Sequence, residues 1–386
     1  MVCSLRPNEE KFTFSSIFKI KSNGEIIEEW YGKTVIKSNK RFSYAEAQEI
    51  IDKKRGKNSK ENSLTNKAYE VEKNLVEAIL NLNEIALQRR KEREKQGSIN
   101  FNKKEIKFKL DNKQNPIEVL FKESKKANKL VEEFMLLANQ KVAELFKKLK
   151  KAPSVYRVHD LPDNEKLKAL KIIVKEFGYV LDISSREGTT KTLNKLLKDV
   201  QGKKEQNLIE TLAIRSMSKA EYSTQNIGHY GLAFKNYTHF TSPIRRYPDI
   251  MVHRILNECL SNMPTKQKGL EKKCKHCSEQ ENNATKAERD SIKYMQIKYM
   301  ENKKGEEFKG IISGITDWGL YVELEENKCE GMVYVKDIKE DNFVFDQTRQ
   351  ALKGTKTDIT YQLGDEVYVK VKKTDLVKKH LDFTII

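Results

Sequence analysis

Two guanidinium groups stand side by side in Thr241-Ser242-Pro243-Ile244-Arg245-Arg246-Tyr247-Pro248-Asp249. Just upstream, His229-Tyr230-Gly231-Leu232-Ala233-Phe234 and Tyr237-Thr238-His239-Phe240 add imidazoles and aromatic rings. Pro248 suits a first-turn position, and a helix is expected over Ile250–Leu260. Free backbone N–H groups and the dipole at a helix start favour an anion, so Arg245 and Arg246 read as a phosphate site. Neighbouring Tyr and Phe rings could stack bases. The same residues also suit an ordinary surface turn capped by Ser242, and the chemistry alone leaves both readings open. His229, His239 and His253 show no spacing to Ser242 that would be diagnostic of a serine-nucleophile triad. Cys274-Lys275-His276-Cys277 has the look of half a zinc site, but no second cysteine pair exists to complete four ligands, so structural zinc is not expected.

Composition narrows the partner. The chain has 386 residues, room for two domains, with 74 Lys+Arg against 56 Asp+Glu and a formal net charge of +18. From Gly305 onward there are 12 basic and 16 acidic residues, a net of −4, which leaves 62 basic and 40 acidic residues and +22 for the first 304. Excess positive charge of this size points to nucleic acid or another polyanion. Only 14 of the basic residues are Arg, so each is a candidate for bidentate phosphate contact, which Lys cannot reproduce. No run approaches the ~18 apolar residues of a spanning helix, and no secretory signal is visible at the N-terminus. Cys3, Cys259, Cys274, Cys277 and Cys329 are too sparse for a disulfide framework, and a reducing cytoplasm is expected.

The positioning elements follow from periodicity. Residues 10–36 read as a hairpin turning at Ser22-Asn23-Gly24, followed by a helix from Ser43 to Lys54. Long helices are expected over Leu64–Lys95 and Lys125–Lys150, with strands at Ile99–Phe108 and Ile117–Phe121 between them. Asp163 caps another helix running through Phe177. A Ser278/Glu281 capping box is expected to start a helix reaching Lys303. Beyond Lys304, alternation in short segments predicts a small closed β-barrel. The fold class is therefore α+β, with residues 1–303 forming one domain and 304–386 an all-β barrel.

The run from His229 to Arg254 resembles the signature of the ribonuclease II/ribonuclease R (RNB) family of processive 3′→5′ exoribonucleases. Cys3–Pro7, Arg41–Gln48, Leu130–Asn139, Tyr156–Asp160 and His276–Asp290 fall in that family's order, and the tail resembles its S1 RNA-binding domain, which implies that the barrel is an OB-fold. The resemblance implies that Arg245 contacts the scissile phosphate, with Arg246 and Tyr247 completing the motif. It also implies that Tyr44 lies along the RNA path and that Phe101 clamps the terminal nucleotides. Glu132 would contact the terminal sugar and Glu288 would line the RNA channel. Trp318 and Tyr321 are the expected stacking surface of the barrel.

The family hydrolyses RNA to 5′-mononucleotides with metal, expected to be Mg²⁺, held by four aspartates upstream of the Cys-Ser-Leu-Arg-Pro stretch. Here that stretch begins at residue 3, and no comparable aspartate run occurs elsewhere. The chain is thus expected to be a C-terminal part of such an enzyme, binding single-stranded RNA but inactive alone, with apolar surface left uncovered. It is expected to be monomeric and free of membrane, with a separate polypeptide supplying the missing part. The alternatives are a non-catalytic RNA-binding protein and a gene remnant.

Overall fold

The computed structural model describes residues 4–99, 105–149, 153–203, 205–263, 267–346 and 351–386. Along the chain, β1 (Glu10–Ile20) and β2 (Ile26–Lys37) precede α1 (Tyr44–Lys53), β3 (Lys57–Asn58), β4 (Tyr69–Glu70) and α2 (Lys73–Lys95). Next come β5 (Glu105–Leu110), β6 (Pro116–Lys122), α3 (Lys126–Lys148), β7 (Tyr156–Val158) and α4 (Asn164–Glu176). After these stand α5 (Arg186–Asp199), α6 (Gln206–Ser216), β8 (Glu221–Ser223), α7 (Tyr247–Leu260) and α8 (Leu270–Met300). The remaining strands are β9 (Glu307–Thr316), β10 (Gly319–Leu324), β11 (Glu330–Tyr334), β12 (Phe343–Asp346), β13 (Ala351–Gly354), β14 (Thr360–Gln362), β15 (Glu366–Asp375) and β16 (His380–Ile385). The class is α+β. No helix of the described residues is long and apolar enough to cross a membrane. Two compact units divide the chain: Met1–Ile99, Ser124–Asp160 and Lys219–Glu279 in one; Asn100–Glu123, Leu161–Ser218 and Gln280–Ile386 in the other.

In the first unit, β1 and β2 pair antiparallel, turning through Gly24 at a φ of 83° that favours glycine. One face of the hairpin buries Tyr31 and packs Phe14 and Phe18 against Val142 and Phe146 of α3 and Val252, Ile255 and Leu256 of α7. Phe12, Ile17, Trp30 and Val35 of the same hairpin are exposed. Helix α1 starts at Tyr44 because Ser43 and Glu46 form a reciprocal capping box. The expected start of α2 at Leu64 is corrected to Lys73. Glu46 accounts for the difference: its Oε1 accepts the Leu64 N–H at 3.1 Å and the Tyr69 hydroxyl at 2.8 Å, tying that stretch to α1. Helix α8 likewise starts at Leu270, not Ser278. Ser278 is no cap; its hydroxyl donates to the Cys274 carbonyl and accepts the Tyr222 N–H at 2.9 Å.

In the second unit, β10-β11-β16-β15-β9 close into a five-stranded barrel. Alternate residues such as Ile312, Leu320, Val322, Val333, Val369 and Phe383 fill it, and Ile173 of α4, Leu208 of α6 and Ile297 of α8 join the same core. Gly319 is required where β10 meets β11, since a Cβ there would stand 2.1 Å from the Val333 carbonyl oxygen. Strands β12 to β14 form a separate three-stranded sheet that the periodicity did not reveal, because strands of three or four residues carry too little alternation.

Candidate nucleic-acid interface

The segment that ends at Arg246 is built onto β7. Arg157 donates its backbone N–H to the Tyr237 carbonyl at 2.9 Å, and His159 does so to Gly228 at 3.0 Å. Hydrogen bonds to the Asn139 and His253 side chains and to the Val155 carbonyl clamp residues 237–241. Asn139 of α3 accepts the N–H groups of Phe240 (2.9 Å) and Thr241 (3.2 Å) at Oδ1 and donates Nδ2 to the Tyr237 hydroxyl. Thr238 gives its hydroxyl to the Val155 carbonyl at 2.5 Å. His253 of α7 meets the Phe240 carbonyl at 2.7 Å through Nε2, which must therefore carry the proton, and its ring stacks on Phe240 with centroids 4.3 Å apart.

The clamp separates the two arginines. Asp249, in the first turn of α7, is fully buried, and its Oδ1 accepts both the Ser242 N–H and Arg246 Nη2 at 2.8 Å. Arg246 is thereby committed to holding the turn. Arg245, Ile244 and Tyr247 are exposed, and the Arg245 side chain has no hydrogen-bond or ion-pair partner among the described residues. The turn is thus closed from within by the Asp249 carboxylate and not by a Ser242 side-chain cap. An exposed guanidinium on a rigid turn at a helix start is arranged to take an oxyanion.

Imidazoles line the inner side of the same segment. Gly231 donates its N–H to His159 Nδ1 at 2.9 Å and Leu232 donates to His229 Nδ1 at 3.3 Å, so both rings act as acceptors at that atom. His239 Nδ1 lies 2.8 Å from the Tyr222 hydroxyl, and Arg157 stacks over the Tyr222 ring at 4.6 Å. Burial, with the charges of His159 and Arg157, pushes His229 down to about 3. Burial, with Arg246 and Arg157, pushes His239 down to about 2. His229 and His239 are neutral supports, and His253, His239 and His229 are each engaged with groups other than Ser242.

The other expected residues are distributed over both units. Tyr44 opens α1 with about half its surface exposed. Glu132 is exposed on α3, while its neighbour Glu133 faces inward and pairs with Arg93 of α2. Phe101 lies outside the described residues. Glu288 is exposed on α8 in the second unit. Trp318, 72% exposed, and Tyr321, 36% exposed, sit on the barrel at and after the β9–β10 turn. Cys274 is buried in the first unit's core, its thiol pushed up to about 12 by burial. Asn139 and Asp249 were not singled out from sequence. Asp249 carried a signal, an acid in the first turn three residues after an arginine; Asn139 carried none.

RNB-family nucleases are metal-dependent. Among the described residues, no group of three or more His, Cys, Asp or Glu side chains is placed to share a metal ion, so the donor set does not fit that cofactor.

The family model for the RNB domain matches residues 1–262, and that for the S1 RNA binding domain matches residues 301–386. Ribonuclease R of Aquifex aeolicus is 36% identical over 390 residues, covering 100% of this chain and 53% of the relative. The apo form of Mycoplasma genitalium RNase R superposes with a TM-score of 0.90 at 26% identity, covering 100% of this chain and 59% of that one. The same enzyme in complex with ribose methylated single-stranded RNA gives 0.88 at 25% identity, with the same coverage. The chain spans about half the length of the curated relatives it matches. With its RNB match, its S1 match and a likeness to ribonuclease R that runs from end to end, the chain belongs to the RNB family.

Proposed function

We propose that this chain holds single-stranded RNA for 3′→5′ exonucleolytic hydrolysis to 5′-mononucleotides, with the metal-binding carboxylates supplied from outside its described residues. The observation that carries this reading is Arg245, exposed and without a side-chain partner among the described residues, on a turn that Asp249, Asn139 and His253 lock from within. A guanidinium carried on a turn held in this way meets a phosphodiester with little backbone reorganisation and stabilises charge that grows on it during displacement. The excess of basic residues in the first 304 positions draws the RNA in. Tyr44, Phe101, Tyr247, Glu132 and Glu288 guide the strand, and Trp318 and Tyr321 of the barrel stack bases more weakly. The similar enzyme solved with single-stranded RNA supports RNA as the partner. The chain works as a monomer in the cytoplasm. Labelled single-stranded RNA with Mg²⁺, with and without a polypeptide carrying the aspartate cluster, tests the reading. Mononucleotides released only in the mixture are expected; release by this chain alone would overturn the claim that it is inactive by itself.

A further inference from the structure

In the first unit, a cleft of about 680 Å³ opens between the β1–β2 turn, α2 and α3. Arg89, Arg93 and Glu133 line one wall, and Ile26, Leu136 and Phe234 contribute apolar surface. Arg93 is only 6% exposed and gives Nη2 to Glu133. Its Nε, and that of Arg89, are buried with no hydrogen-bond partner among the described residues. The aliphatic stem of Arg89 rests against the hairpin turn, its Cγ 3.7 Å from where a Cβ on Gly24 would be. Glu133 pairs with Arg93, and Glu133 and Glu144 both attract Arg89. With Lys91, Lys95 and Lys141 set against Glu25 and Glu92 on the lining, the cleft keeps a net positive charge in a partly desolvated place. Arginine cannot relieve this by losing its proton, and an orphaned buried donor is costly. Burial and the Arg93 charge lower the Arg89 pKa against the pull of Glu133, which is consistent with a site short of negative charge.

We propose that this cleft binds a phosphomonoester, with its oxygens on Arg89 and the free Nε edge of Arg93, and that a nucleoside 5′-monophosphate fits best because a base can lie on the apolar wall. A phosphate supplies several acceptor oxygens in the geometry a guanidinium fork matches, and its charge balances the cluster. The site is separate from the Arg245 turn, which does not line the cleft. It needs neither RNA nor metal, so its test is independent of the nuclease reading.

The test is calorimetric titration of the full chain with AMP, inorganic phosphate and adenosine, each at up to millimolar concentration. One-to-one binding of AMP is expected, with no binding of adenosine. Phosphate binding weaker than AMP assigns the site to nucleotides; equal affinity assigns it to free phosphate, and either supports a phosphate site. Arg89→Gln should weaken binding about tenfold or more, the loss of one charge-assisted contact. Gln88→Glu places a carboxylate on the same wall from an exposed position and should weaken binding while leaving Arg89 and the fold intact. Failure of both anions to bind, or undiminished affinity in both variants, would overturn the proposal.

Discussion

Asn139 Oδ1 accepts the backbone N–H of Phe240 at 2.9 Å, although the two residues are 101 positions apart in sequence. One amide on α3 thus fixes the segment that leads to Arg245. Asn139→Ala would leave the Phe240 and Thr241 donors buried and unpaired, a destabilisation of about 2–4 kcal/mol. If Asn139 also acts through Arg245, its loss should weaken RNA binding in the native background and do little in an Arg245→Ala background. A double-mutant cycle on RNA affinity, with unfolding followed in parallel, reads this coupling. Additive losses would show that Asn139 serves stability alone.

Arg245 and Arg246 are adjacent in sequence and opposite in role. Arg245→Ala removes an exposed side chain and should change stability by less than about 0.5 kcal/mol. Asp249→Asn leaves the Arg246 guanidinium without its buried counter-charge and should cost about 3 kcal/mol. Urea unfolding of the two variants should separate them clearly. Equal stabilities would contradict the assignment of Arg246 as the structural member.

Stability should fall on mild acidification. His229 and His239 are held neutral when folded, at about 3 and about 2, whereas an unfolded histidine titrates near 6.5. Below about pH 6.5 the unfolded chain takes up protons that the folded chain refuses. Their contribution is therefore complete above that pH and is lost as pH falls toward 3, by about 1.4 kcal/mol per pH unit for each ring. His239→Asn removes one titrating ring and should make the decline between pH 6 and 4 shallower in urea titrations. An unchanged slope would mean that His239 is not buried neutral.

The barrel should matter less than the Arg245 turn. Trp318 and Tyr321 offer exposed rings, but the residues from Gly305 onward carry a net charge of −4 by composition. Replacing both rings with Ala should lower RNA affinity less than Arg245→Ala does, since stacking is worth about 1–3 kcal/mol per base and like charge opposes it. The reverse order would show that the barrel dominates binding.

Periodicity made the barrel and most helices legible, because strands β9 to β11 and β15 alternate over five or more residues and α1 and α4 carry local caps. It misplaced the starts of α2 and α8, where Glu46 and Tyr222, far off in sequence, decide what Leu64 and Ser278 do. The same limit governs the site. The motif at residues 241–249 was visible as an anion-binding turn, but which arginine faces out depends on the Asp249 carboxylate. Asn139 looked like one more helix residue because its partners lie about a hundred positions downstream.

The role of Arg245 in holding RNA is decided by equilibrium binding of labelled single-stranded RNA to the full chain and to Arg245→Ala across a range of salt. Binding that weakens steeply with salt is expected, about tenfold weaker in the variant, with a log–log slope shallower by about 0.7 for one lost phosphate contact. Equal affinity and equal slope for the two proteins would contradict that role.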